Sequence, residues 1–349
     1  MRKKSKLVHR EGLPTFKPFM YPKAYEFYKE HENLHWTADE VNLGKDVQDW
    51  NIKLDDKTRK LVTSILRLFT QADVQVGNGY DLLLRVFKPT EIQMMLRSFA
   101  ARENIHIDAY SLLTDTLGFR EEFYQEFLEY DEMKDKMMYV HKSRVRQFHE
   151  YLEQHNGDEQ LAEKEFHRDL AKMLAIYGGL TEGTMLFSSF AILMNLSRQG
   201  VMPGLKDIVK WSILDEDSHC IGNSWLFRQF INEHRYIWDD ELKKEIYEAA
   251  RNIVKLEDAF IDLAFDKHDM SGLTREDMKK YIRYICDRRL IELSLKPNFG
   301  EKKNPLPWME ELLNTDSFAN FFERTVTEYG KGTTEGTWEE AKSVLEQFK

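Results

Sequence analysis

Residues 103–110 read Glu103-Asn104-Ile105-His106-Ile107-Asp108-Ala109-Tyr110, and residues 215–219 read Asp215-Glu216-Asp217-Ser218-His219. Each stretch contains Glu-x-x-His. On a helix, positions i and i+3 share a face, so a carboxylate and an imidazole reach the same point in space. Phe99, Glu103, His106 and Tyr110 follow one another at steps of four, three and four along an otherwise apolar stripe. Glu216 and His219 lie on a helical run bounded by Trp211 and Trp225. Charge on a core-facing stripe is costly unless it is paired or bound to a metal. A third match, Glu32/His35, falls in a polar N-terminal stretch and reads as a solvated helix face.

One helix upstream of each pair stands a single carboxylate on an apolar stripe. Asp73 sits among Leu66, Phe69, Val76 and Tyr80, and Glu182 precedes Leu186, Phe190 and Leu193. The chain thus carries carboxylate…Glu-x-x-His twice, each time at the spacing of one antiparallel helix hairpin. Two hairpins make a four-helix bundle, and this donor set is that of the ferritin-like di-iron and di-manganese carboxylate proteins. Four carboxylates and two imidazoles suit hard-to-borderline divalent ions. Tyr110 lies one turn beyond His106, about 6 Å along the axis. It is either a phenol placed for oxidation by the metals or a core aromatic, and spacing alone leaves both readings open.

The rest of the chain agrees with an all-α protein. No proline interrupts residues 90–202 or 204–296, and both tracts are rich in good helix formers. The pattern predicts helices over 57–87, 90–117, 119–131, 133–156, 159–177, 179–198, 204–231, 239–267 and 274–295, so the bundle is elaborated to about eight or nine long helices. Pro89 and Pro203 read as first-turn prolines. Residues 1–56 read as an irregular N-terminal arm with one short helix, 57–296 as the di-metal domain, and 297–349 as a flexible C-terminal segment with a last amphipathic piece near Trp338.

With Lys+Arg 50 against Asp+Glu 60 and a net charge of -10, the chain is a poor nucleic-acid binder. Two cysteines, Cys220 and Cys286, exclude a disulfide framework or a thiolate zinc site. The basic N-terminus is followed by no apolar secretory region, and the most apolar run, Met185 to Leu196, is too short to span a bilayer. A soluble cytoplasmic protein without membrane contact is expected.

Several further stretches carry a resemblance. They are Leu34-His35-Trp36-Thr37-Ala38-Asp39-Glu40-Val41, Tyr281-Ile282-Arg283-Tyr284-Ile285 with Asp287-Arg288-Arg289-Leu290, Asn304-Pro305-Leu306-Pro307-Trp308, and Phe321-Phe322-Glu323 with Glu328-Tyr329. Together with the two Glu-x-x-His helices, they make the chain resemble the small, radical-generating subunit of class I ribonucleotide reductase over nearly its whole length.

The resemblance implies that Asp73, Glu103 and His106 hold one ion and Glu182, Glu216 and His219 the other, with Glu103 and Glu216 bridging. It implies two iron ions as a di-iron-oxo centre, or two manganese ions, and a stable radical on Tyr110. It implies radical transfer through His106, Asp215, Trp36 and Tyr329 to a large catalytic subunit, which reduces ribonucleoside diphosphates. Val344, Leu345 and Phe348 would dock the tail on that partner, and a homodimer is expected. Phe99 stands where some relatives in the family carry Trp, and Leu186 where many carry Phe, both at positions lining the metal pocket. The retained Tyr110 argues against the subgroup that replaces this Tyr by Phe, and the intact ligand set argues against metal-free variants. A stand-alone ligand-binding di-metal oxidase is the alternative; it would need neither Trp36 nor Tyr329. A metal-storage or scaffold protein is a third reading.

Overall fold

The structure, a computed structural model, describes residues 15–124, 131–140, 148, 150, 163–267 and 270–311, without the side chains of 70–78 and a few other positions. Among the described residues the protein is helical, with no strand. The chain divides into Met1–Leu306 and a second unit, Pro307–Lys349, of which residues 307–311 are described and helical. No helix among the described residues is long and apolar enough to cross a membrane.

The arm holds more structure than the pattern predicts. Helices α1 (Pro22–Asn33) and α2 (Gly44–Ile52) flank a 3-10 turn at Ala38–Glu40. Pro22 opens α1 at its first turn, where its missing N–H costs nothing. The polar composition of α2 hides its purpose. Asp46 accepts from the Gly204 and Leu205 amides at 2.8 Å each, and Asp49 accepts from the Met202 amide at 2.9 Å. These carboxylates cap the orphan N–H groups at the start of the later helix Pro203–Glu233, where Met202 is held at φ 56°.

Helix α3 (Asp56–Val86) begins at Asp55, whose side chain accepts from the Thr58 amide at 2.7 Å. It packs along α4 (Thr90–Thr116), and the turn between them ends at Pro89, which stands just before the α4 helix rather than inside it. The predicted 119–131 helix is a 3-10 turn, Glu121–Tyr124, in its described part, and α5 covers Asp131–Val140. Next come α6 (Glu163–Lys172), a π-helical stretch Met173–Thr181, the short α7 (Glu182–Thr184), α8 (Phe187–Arg198) and α9 (Pro203–Glu233). Helix α9 packs on the π stretch, on α8 and on α4, closing the bundle. Helices α10 (Asp240–Lys267) and α11 (Arg275–Glu292) cover it from outside.

The predicted break after Tyr177 is therefore misplaced: the chain stays helical through Gly178 and Gly179 and turns at Met185–Leu186. The glycines serve packing. A Cβ on Gly178 would lie 2.7 Å from the Asn223 side chain, so two helices approach there at backbone distance. A π stretch shifts the register of the residues after it, and such stretches gather at functional sites. Here it delivers Glu182 to the core.

Candidate metal centre

Glu103 and His106 on α4, Glu182 at the start of α7, and Glu216 and His219 on α9 meet in the interior, each at most 1% exposed. Two overlapping groups form, Glu103–His106–Glu216 and Glu182–Glu216–His219, with ligand atoms within 4.8 Å of one another in each. Asp73 lies on α3, but its side chain is outside the described residues.

Both imidazoles present Nδ1 to the carboxylates. His106 Nδ1 is 3.6 Å from Glu103 Oε2 and 3.6 Å from Glu216 Oε1. His219 Nδ1 is 3.1 Å from Glu103 Oε1, 3.6 Å from Glu182 Oε2 and 3.7 Å from Glu216 Oε2. Glu103 and Glu216 each turn one oxygen towards each imidazole, while Glu182 faces His219. The outer nitrogens are held elsewhere: His106 Nε2 lies 3.1 Å from Asp215 Oδ2, and His219 Nε2 lies 3.2 Å from His31 Nε2. Fixing the outer nitrogen of a ligating histidine sets its tautomer and ring orientation.

The donor atoms fit a pair of cations. Both oxygens of Glu103, Glu182 Oε1, Glu216 Oε2 and His219 Nδ1 are buried and make no hydrogen bond. Buried charged atoms that meet only one another, without hydrogen bonds, are costly in a core, and divalent ions would satisfy them. The acid–base balance points the same way. Burial raises the Glu182 carboxyl to about 7 and raises Glu216, with neighbouring carboxylates adding to the shift. Burial disfavours imidazolium, yet Asp215 and Glu103 outweigh it and raise His106, and Glu103, Glu182 and Glu216 do so for His219. Glu103, though buried, is held below the usual carboxylate range by the two imidazoles. Without metal, protons supply the positive charge that this cluster requires.

The surroundings divide into an apolar and a polar side. Tyr110 is buried, its hydroxyl 3.4 Å from Ser212 Oγ, its ring 5.0 Å from Phe69, which lies 5.1 Å from Phe190. Phe99 stacks beside His219 at 4.7 Å, and Leu186 is buried. On the other side, Trp36 Nε1 donates to Asp215 Oδ2 at 2.7 Å, and Trp36 lies 5.9 Å from the His106 ring. Arg102 Nε approaches Asp215 Oδ1 at 3.5 Å. Tyr329, Val344, Leu345 and Phe348 lie outside the described residues.

Two features escape the motif reading. His31 is fully buried between Ser98 (2.7 Å to Oγ) and His219, and burial with its imidazole neighbours keeps it neutral. Glu32 and His35 of the discarded match are exposed, so the arm contributes through the residue just before that motif. Tyr80, which reads only as a core position on its stripe, donates to Glu182 Oε2 at 2.7 Å.

Residues 14–305 match the family model described as ribonucleotide reductase, small chain. The chain is 43% identical to the probable ribonucleoside-diphosphate reductase small subunit of Invertebrate iridescent virus 3, over 93% of this chain and 86% of that one. Its fold is similar to the ribonucleotide reductase R2 subunit from Clostridium botulinum, at TM-score 0.77 and 22% identity, covering 88% of this chain and 94% of that one. It is also similar to the dimanganese(II)-NrdF of Streptococcus sanguinis, at TM-score 0.71 and 17% identity, covering 87% and 100%. The family match runs through every helix that carries the buried carboxylates and imidazoles, and on that ground the chain belongs to the ribonucleotide reductase small chain family.

Proposed function

We propose that this chain is the radical-generating small subunit of a ribonucleoside-diphosphate reductase, in which Asp73, Glu103, His106, Glu182, Glu216 and His219 would hold a metal pair and Tyr110 is the residue that loses an electron to become the stable radical. The reading is carried by the cluster of buried carboxylate oxygens and the His219 Nδ1 that lack hydrogen bonds, two of whose residues, Glu103 and His106, share α4 with Tyr110, which lies one turn beyond His106. It is supported by the name of the relative in Invertebrate iridescent virus 3.

When bound, such a pair supplies a one-electron oxidant, activated by oxygen or a superoxide-type oxidant. We assign two iron ions as the resident metal; manganese suits the same oxygen and imidazole donors and is bound in the Streptococcus sanguinis neighbour. Phe69 and Phe190 exclude water from the phenol of Tyr110, and Ser212 offers its hydroxyl a hydrogen-bond partner. Asp215 joins His106 to Trp36 through one oxygen, so Oδ2 is the atom that holds the indole proton when Trp36 carries the electron vacancy. A stand-alone oxidase has no use for such a chain leading to Trp36, which favours a subunit that exports its radical.

Residues 1–56, 57–296 and 297–349 then act as arm, metal domain and docking segment of a cytoplasmic homodimer. Tyr329 continues the transfer path, and Val344, Leu345 and Phe348 bind the large catalytic subunit as an apolar tail. The test is turnover of ribonucleoside diphosphates by the loaded chain mixed with its large subunit. The full chain should support turnover, and the chain ending at Tyr329 should keep its radical and lose turnover. Undiminished turnover by the shortened chain contradicts the docking role.

A further inference from the structure

Glu182 differs from the other carboxylates of the cluster in how its two oxygens are used. Oε1 is buried without a hydrogen bond, whereas Oε2 accepts from the Tyr80 hydroxyl at 2.7 Å. Tyr80 in turn accepts from Asn223 Nδ2 at 3.0 Å. Because the amide donates into the phenol oxygen, the phenol proton is left to point at Glu182. This relay crosses the bundle. Tyr80 lies on α3 two turns beyond Asp73, Glu182 opens α7, and Asn223 lies on α9 one turn beyond His219.

The packing that allows the relay is unusually tight. Asn223 reaches Tyr80 only because residue 178 lacks a Cβ, which would stand 2.7 Å from the amide side chain. Tyr80 is fully buried, its ring 5.8 Å from Tyr177 and 5.8 Å from His219. The Tyr177 ring occupies the space a Cβ on Gly79 would need, at 2.3 Å. Two glycines thus make room for an aromatic and amide wall against one carboxylate oxygen.

We infer that Tyr80 is a positioning residue that keeps Glu182 a one-oxygen metal ligand, reserving Oε2 for the phenol and leaving Oε1 for the ion. The inference rests on the metal-centre reading above. It adds an asymmetry to it: Glu103 and Glu216 each present both oxygens to the imidazole pair, whereas the one Glu182 oxygen that faces an imidazole, Oε2 at 3.6 Å from His219 Nδ1, is already taken by the Tyr80 hydroxyl, so Oε1 is the oxygen left without a partner. A buried tyrosine whose hydroxyl merely needs a partner would leave the ligation of Glu182 unchanged on removal. A positioning tyrosine changes it, because a carboxylate released from its donor turns its second oxygen to the nearest cation.

The test is the crystal structure of the Mn(II)-loaded full-length protein and of its Tyr80→Phe variant, with bound manganese counted in both. The wild type should bind two ions, with Glu182 ligating through one oxygen and Tyr80 on the other. Tyr80→Phe should keep two ions and show Glu182 ligating through both oxygens. Infrared spectra of the loaded proteins in solution should show the matching narrowing of the carboxylate stretch separation, with Asn223→Leu giving a smaller shift in the same direction. Ligation through both oxygens in the wild type, or one-oxygen ligation retained in Tyr80→Phe, overturns the inference while leaving the metal centre standing. Failure of the wild type to bind a pair of ions overturns both.

Discussion

Trp36 Nε1 and Asp215 Oδ2 are joined by a buried 2.7 Å hydrogen bond, and the same oxygen lies 3.1 Å from His106 Nε2. One carboxylate atom thus connects an indole on the N-terminal arm to a histidine of the metal cluster. Asp215→Asn keeps the shape and removes the charge. We expect it to retain bound metal and the Tyr110 radical but to abolish turnover with the large subunit, and Trp36→Phe to do the same. Metal content, radical yield and turnover measured on the same samples check this. Turnover at wild-type level in either variant would contradict a transfer role.

The metal cluster should make stability depend on pH in a way that loading reverses. Glu182 has a folded-state value of about 7 against an ordinary 4.5, and Glu216, His106 and His219 are also raised. A raised group stabilises the fold at low pH and loses that contribution as pH climbs through the folded value, for Glu182 between about 4.5 and about 7. Glu103 and His31, both lowered in the fold, act the other way against these four. The contribution of the four raised groups to the metal-free protein should therefore fall as pH rises over this range. Metal binding displaces these protons and so strengthens with pH. The Tm difference between loaded and metal-free protein should widen between about pH 5 and pH 8. A constant difference in thermal melts would show that these groups do not bind the ions.

Gly178→Ala sets two effects against each other. Alanine gains about 1 kcal/mol of helix propensity over glycine. The new Cβ, however, would stand 2.7 Å from Asn223, and overpacking a close-packed core costs about 1–3 kcal/mol. The packing term should win, since the displaced amide also loses its bond to Tyr80. Denaturant unfolding should report a net loss of about 1–2 kcal/mol; a gain would show that Asn223 moves aside freely.

Away from the metals, Lys136 Nζ lies 2.6 Å from Glu257 Oε1, and both side chains are buried. Glu257 also takes a short hydrogen bond from Ser188, and the Lys136 ammonium sits 4.1 Å from the Phe260 ring centroid. Burial lowers the lysine and raises the glutamate, so each depends on the other for its charge. Lys136→Met strands a buried carboxylate and should cost about 3–5 kcal/mol, whereas Lys136→Met with Glu257→Leu should recover most of that. Equal losses in the single and double variants, measured by chemical unfolding, would mean that packing and not charge governs this site.

The bundle was legible because Glu103, His106, Glu216 and His219 break apolar stripes at helical spacing, which a soluble core does not tolerate without reason. The arm was less legible. The Glu32/His35 match is solvated as its polar setting predicts, but nothing in its pattern singled out His31, one residue before it, as buried. Asp46 and Asp49 look like surface charge until the amides they cap come into view. Gly178 and Gly179 punctuate a helix in sequence, yet their role is set by Asn223 and other neighbours distant in the chain. Tyr80 could not be told from an ordinary core aromatic, because its distinguishing partner is a carboxylate on another helix.

Electron paramagnetic resonance of the full-length protein, loaded with iron and exposed to oxygen, puts the central claim to its most direct test. Two bound ions and a tyrosyl radical signal that disappears in Tyr110→Phe, with both ions still bound, are the predicted result. A fully loaded, oxidised protein without such a signal, or one whose signal survives in Tyr110→Phe, would contradict it.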